Sequence, residues 1–171
     1  MLAALAGLAL LGAACSSTSN TTPTTSSSTT KPTSSTTSTS KGPTWCSTAQ
    51  LTISAGEPSG AAGHVVVPLT FKNTSSANCT TGGFPGVAGL SGSTQVLQAT
   101  RTGSSFGQII LTPGQSATAE VSAVNIPSGT AQSCTNLSGL LLTPPNTVAT
   151  AQLTLVLPGC PGMSVTALKA S

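Results

Sequence analysis

The turn Gly60-Ala61-Ala62-Gly63 separates two apolar runs. Gln50-Leu51-Thr52-Ile53 comes before it and His64-Val65-Val66-Val67-Pro68-Leu69-Thr70-Phe71 after it. A short glycine-bounded turn between such runs signals a β-hairpin. In the second run Val65, Val67, Leu69 and Phe71 alternate with Val66, Pro68 and Thr70, the period of two that a half-buried strand requires. Pro68 has no N–H to give to a ladder, which puts this strand at a sheet edge or at a bulge. Outside the runs Cys46 and Cys79 lie almost equidistant from the turn. The stretch Gly82-Gly83-Phe84-Pro85-Gly86-Val87 then reads as a tight corner that starts the next strand. There Pro fixes φ, Gly admits positive φ, and Phe84 is expected to plug the core.

Working outward, short strand patterns recur between turn signals, at 49–54, 64–72, 84–90, 94–100, 106–112, 115–124, 137–143, 150–157 and 163–168. Ala117, Ala119, Val121 and Ala123 alternate with Thr118, Glu120 and Ser122, and Leu153, Leu155 and Leu157 with Gln152, Thr154 and Val156. Thr112-Pro113-Gly114-Gln115 has the chemistry of a Pro-Gly turn. No stretch of 42–171 sustains a helical period. The fold class expected is all-β: an immunoglobulin-like antiparallel β-sandwich of about eight strands.

The cysteines sharpen this. Four of them, Cys46, Cys79, Cys134 and Cys160, allow three pairings. A hairpin brings together residues placed symmetrically about its turn. The midpoint of Cys46 and Cys79 falls between Ala62 and Gly63. The midpoint of Cys134 and Cys160 falls on Thr147, inside the turn Pro144-Pro145-Asn146-Thr147. The pairs Cys46–Cys79 and Cys134–Cys160 are therefore expected, each closing the open end of its own hairpin.

The fifth cysteine, Cys15, stands apart. Residues 1–14 are nearly all Leu, Ala and Gly and end in Gly12-Ala13-Ala14. The run is shorter than the ~20 residues that span a bilayer. It resembles a bacterial lipoprotein signal peptide with its lipobox. The resemblance implies cleavage before Cys15, lipidation of its sulfur, and a place on the outer face of the cytoplasmic membrane. No Lys or Arg precedes the run, so the translation start is expected upstream. Residues 15–41 then carry the lipid and a Ser/Thr tether without a Val, Ile, Leu, Phe or Met, a composition expected to stay disordered. Its span as a flexible coil is about 25–30 Å. Similar tracts are O-mannosylated stalks in actinobacterial envelope lipoproteins. The folded domain is expected over 42–171.

Composition excludes several function classes. Charged residues make up 4% of the chain and aromatics 2%, and Asp and Tyr are absent. The five basic residues are scattered without interleaved aromatics, which argues against nucleic-acid binding. A Ser/His/Asp triad has no Asp, and no Gly-x-Ser-x-Gly elbow is present. Paired-carboxylate chemistry would need both of the acids in the chain, Glu57 and Glu120. One His, with the cysteines committed to disulfides, leaves no metal set. No cofactor motif is found, and the protein is expected not to be an enzyme.

The blocks Gly60-Ala61-Ala62-Gly63-His64, Leu69-Thr70-Phe71-Lys72-Asn73, Cys79-Thr80-Thr81-Gly82-Gly83-Phe84-Pro85-Gly86-Val87 and Leu111-Thr112-Pro113-Gly114 carry a family resemblance. The chain resembles the actinobacterial domain of unknown function 4232, common in lipoproteins, over most of 46–168. The resemblance implies fold and location and no activity. The expected function is a lipid-anchored, non-catalytic binding module of the cell envelope, with a cell-wall glycan or an envelope protein as partner. The alternative is a carrier or sensor of a small apolar molecule held between the sheets, in space left by Ala117, Ala119, Ala123, Ala149 and Ala151. The candidate binding surface is Glu57, His64 and Arg101. Arg101 is expected to pair with Glu120 or a backbone carbonyl, and Trp45 to pack over the Cys46 disulfide.

Overall fold

The opening stretch folds as a hairpin. Strand β1 (Leu51–Ala55) pairs antiparallel with β3 (His64–Asn73), and the short β2 (Ser59–Ala61) continues along the same side of β3. Ala61 faces His64, so the loop itself is Ala62-Gly63, with Gly63 at φ 77°. The computed structural model describes residues 42–105, 107–127 and 133–171. The leader, Cys15 and the tether expected within 1–41 lie outside the described residues.

The other strands are β4 (Cys79–Thr81), β5 (Gly86–Ser91), β6 (Thr94–Gln98), β7 (Thr100–Thr102), β8 (Ile109–Leu111), β9 (Ser116–Val124), β10 (Thr135–Thr143), β11 (Ala151–Gly159), β12 (Ser164–Thr166) and β13 (Lys169–Ala170). One sheet runs β1-β3-β9-β12-β7, with β2 on β3 and β13 on β9. The second runs β11-β10-β5-β6, and β4 pairs with β8 in a small third sheet. The pairs are antiparallel except β12 with β7. The result is an immunoglobulin-like β-sandwich.

The two main sheets close on side chains whose positions follow from alternation. Val67, Leu69 and Phe71 of β3 are fully buried, as are Ala117, Ala119, Val121 and Ala123 of β9. All of these but Ala123 meet Val87 of β5, Leu137, Leu140 and Leu142 of β10 and Leu157 of β11 in one core. The small side chains Ala117 and Ala119 belong to that packed core, where they let the sheets approach. Ala149, by contrast, is exposed.

Pro68 is not on an edge: β3 is flanked by β1 and β2 on one side and β9 on the other. The bulge reading is the one realised. The Cα partners shift by one residue between Ala55↔Leu69 and Ser59↔Val66, so the chain swings out at 56–58. The Gly56 N–H donates to Pro68 O at 2.8 Å. In an antiparallel strand N–H and C=O of one residue face the same neighbour. The missing donor of Pro68 therefore faces Gly56, the last residue before the break, which is exposed so that its C=O is open to water.

The expected strand 94–100 is two strands in different sheets. The Ala99 N–H donates to Val87 O of β5, and the next N–H, of Thr100, donates to Met163 O beside β12. The chain changes sheets between these two residues without a Gly or Pro to mark it. Within 106–112 the strand begins at Ile109.

Both disulfides form as the midpoints require. Cys46–Cys79 spans Cα atoms 4.8 Å apart and Cys134–Cys160 Cα atoms 4.6 Å apart. The second hairpin pairs Thr135 with Gly159, one step inside the bond. Its turn has Asn146 at φ 57° and the Thr147 N–H donating to Pro144 O.

The corner after Cys79 depends on glycine. Gly82 has φ 146°, and a Cβ there would stand 2.7 Å from Gly107 O. Gly82→Ala is expected to lower stability by about 2–3 kcal/mol, from strained backbone and a forced shift of the 107 segment. Equilibrium urea unfolding measures it, and a change below ~0.5 kcal/mol would contradict this role. Pro85 is buried, whereas Phe84, expected to plug the core, is only half-buried.

Candidate functional site

Three of the six charged or titratable side chains in 42–171 were expected to form a binding surface. Glu57 sits in the swing-out between β1 and β2 and is exposed. His64 opens β3, and its Nδ1 lies 3.3 Å from Ser122 Oγ on β9. Its polar neighbour across the ladder is thus a hydroxyl. Arg101 is on β7, three strands away from β3 in the order β3-β9-β12-β7, or about 14 Å at ~4.8 Å per strand. The structure does not gather these residues into one site.

Arg101 also departs from its expected pairing. Its guanidinium lies 5.9 Å from the centroid of Phe84, a cation–π arrangement at the edge of the sandwich. Glu120, on β9, is separated from it by β12. The half-exposed corner ring, rather than the acid, is the partner of the one arginine.

Trp45 faces away from the Cys46 disulfide rather than packing over it. The segment before Cys46 is extended and runs beside β4. Thr80 N–H donates to Thr44 O, Cys46 N–H donates to Thr80 O, each at 2.8 Å, and Thr80 Oγ1 donates to Pro43 O at 3.2 Å. In an extended chain neighbours point to opposite faces. Cys46 turns inward to Cys79, so Trp45 turns outward. Adjacency to Cys46 was itself the signal.

Trp45 bridges Thr80, and Thr80 pairs with Ile110. Residues paired across a sheet share a face, so Trp45, Thr80 and Ile110 form one outward row across three strands. The opposite face, with Cys46, Cys79 and Leu111, enters the core. Trp45 is 37% exposed and Ile110 55%, while Thr80 between them is 5% exposed. The row lies where the chain from the N-terminal segment joins the domain. It combines an aromatic anchor with an aliphatic neighbour on a rigid, disulfide-backed platform, the kind of feature that concentrates binding energy at interfaces.

Two other exposed valines have a different explanation. On β11 the three steps from Thr154 to Leu157 oppose two steps on β10, and on β6 an extra residue stands between Gln95 and Leu97 opposite Gly89–Leu90. Both are bulges on the outer strands of the second sheet, and they leave Val156 and Val96 exposed. Bulged edges resist strand addition. These valines belong to edge protection.

Among the described residues no three His, Cys, Asp or Glu side chains are grouped as for a metal ion. Among the described residues, surface hollows of about 170 Å³ lie beside Glu120 and Lys169 and of about 260 Å³ along Gln95–Gln98. Both open on the outside of the sandwich.

The sequence profile of the family described as "Domain of unknown function (DUF4232)" matches residues 46–170. Neither a curated protein nor a solved structure is significantly similar to the chain.

Proposed function

The chain belongs to the DUF4232 family, and from that premise we propose a non-catalytic recognition module of the cell envelope that contacts an envelope protein through Trp45 and Ile110. The observation that carries this reading is the outward row Trp45–Thr80–Ile110. Cys46 faces inward to its disulfide, so the alternation turns the one tryptophan of the chain outward. Its exposure beside Ile110 leaves apolar surface that a partner covers.

The module is held at the outer face of the cytoplasmic membrane by lipid on Cys15. Supporting this, the two disulfides consume the other four cysteines and leave Cys15 as the remaining thiol. Two or three acyl chains give stable anchoring where one does not. Attachment to the membrane raises the local concentration of any membrane-bound partner, so a small contact surface suffices. Cys15→Ser is expected to move the protein from the membrane fraction to the soluble fraction. Intact mass spectrometry of the unaltered protein should show the acylated cysteine, and an unmodified thiol there would refute the anchor.

The contact surface is tested in cells with a photo-crosslinking residue at position 110 and, as control, at position 156, equally apolar but on a bulged edge. A discrete adduct from 110, lost on Trp45→Ala and absent from 156, is the expected result. Equal labelling from both positions, or an adduct that survives Trp45→Ala, would refute the surface.

A further inference from the structure

The outer face of the first sheet has a dent at its centre. Opposite β9, the partners Val165↔Val121 and Lys169↔Thr118 are out of step by one residue, so Ala167-Leu168 bulge away from the ladder. Leu168 is drawn into the core, and its N–H donates to Gly83 O. The Glu120 N–H, left without a backbone partner on that side, donates to Thr166 Oγ1 at 2.9 Å. On the other side of β9 stands Pro68, paired with Glu120. The hollow that results is about 170 Å³, lined by Pro68, Thr118, Ala119, Glu120, Thr166 and Lys169.

We infer that this hollow binds one sugar ring of a cell-envelope glycan. Size is the first argument. The volume holds about five or six waters at ~30 Å³ each, which is the bulk of a single six-membered sugar ring with its hydroxyls. Chemistry is the second. A carboxylate accepts two O–H groups at once, as adjacent sugar hydroxyls present them, and an ammonium donates to a third. Thr166 accepts from Glu120 N–H and keeps its own hydroxyl hydrogen to donate. The Pro68 ring offers a flat C–H surface to the apolar face of a sugar. Opposite charges on Glu120 and Lys169 select against a net-charged ligand of either sign. Placement is the third. The hollow is open to the surface, and Thr70, Ser122 and Ser164 stand at outward positions of β3, β9 and β12 around it, where further sugar units of a polymer would find hydroxyls.

This site is separate from the Trp45 row and does not rest on it. The test uses the full chain in detergent micelles and saturation-transfer NMR with trimers of N-acetylglucosamine, mannose, galactose and arabinose. A neutral dipeptide serves as the zwitterionic competitor. Transfer to ring protons of at least one sugar is expected, weakened tenfold or more by Glu120→Gln. It should be unchanged by Glu57→Gln, which alters the other acid, and by Trp45→Ala. Silence from all four sugars, equal transfer in Glu120→Gln, or preference for the dipeptide would each overturn the assignment. Loss of the position-110 adduct with sugar binding intact would remove the protein contact and leave this site standing.

Discussion

Asn73→Ala is expected to lower the unfolding free energy by about 3 kcal/mol, the largest effect of any single polar truncation in the domain. Asn73 ends the Leu69-Thr70-Phe71-Lys72-Asn73 run and is fully buried. Its Nδ2 donates to Ala77 O at 2.8 Å and Leu111 O at 2.9 Å. Its Oδ1 accepts from the Ser75 N–H at 3.0 Å and the Ser75 hydroxyl at 2.8 Å. Its backbone adds two more bonds, N–H to Gln115 O and C=O from the Gly114 N–H. The side chain thus joins the end of β3, the 74–78 loop and β8, while the backbone of the same residue holds the Pro113-Gly114 turn. Alanine strands the Leu111 carbonyl in the core and frees the loop.

Asn73→Asp separates polarity from geometry. The introduced carboxyl keeps the shape and the acceptor but replaces the two N–H donors with an oxygen that faces the carbonyls of Ala77 and Leu111. Burial disfavours its charged form, so its folded pKa lies above the unfolded value. The native state then binds more protons than the unfolded one, and stability falls as pH rises through the carboxylate range and above. At pH 7 this variant is expected to be at least as damaged as alanine, and to recover on acidification where alanine does not. Urea unfolding at pH 7 and pH 4 measures both. Equal pH dependence of the two variants, or a loss under 1 kcal/mol for alanine, would show that Asn73 is not the hub of this network.

The second large effect is loss of Cys46–Cys79. The bond closes 33 residues, for which the chain-entropy estimate is about 3.7 kcal/mol. Cys134–Cys160 closes 26, worth about 3.5 kcal/mol on the same basis. Replacement of the first pair by alanine is nonetheless expected to cost clearly more. Cys46 and Cys79 are 2% and 0% exposed, and the bond pins the extended Pro43–Cys46 segment against β4. Cys134 is only half-buried. Losing the first pair therefore releases the strand that presents Trp45. The readouts are urea unfolding of each double-alanine variant and tryptophan fluorescence, which should shift only for the first pair. Equal unfolding free energies and an unmoved emission maximum would refute the clamp.

Much of this fold was legible in one stretch of sequence. The turn at 60–63, the alternation through Phe71 and the symmetric cysteines are local or depend on simple counting along the chain, because a hairpin pairs residues equidistant from its turn. The same counting located Cys134–Cys160. Membership of the family was legible in the same blocks. By itself the sequence determined the long strands, the hairpin pairing and which residues of β3 and β9 face inward, since a period of two leaves no other choice; the short β2, β4, β7 and β13 were not legible in it.

Tertiary structure decided what depends on a neighbour far along the chain. Pro68 is central because β9 covers its other side and because the break at 56–58 removes the need for its N–H. The sheet change at Ala99 arises from two acceptors, Val87 O and Met163 O, that belong to different sheets. Asn73 is a hub because Leu111 arrives beside it across 38 positions. Glu57, His64 and Arg101 share exposure and charge but not a strand, so no spacing rule could have told that they stand apart. Glu120 and Lys169 come to one hollow because a one-residue slip opposite β9 opens it. Such a slip is settled by what Leu168 gains in the core, a matter of packing that is not written at positions 167 and 168.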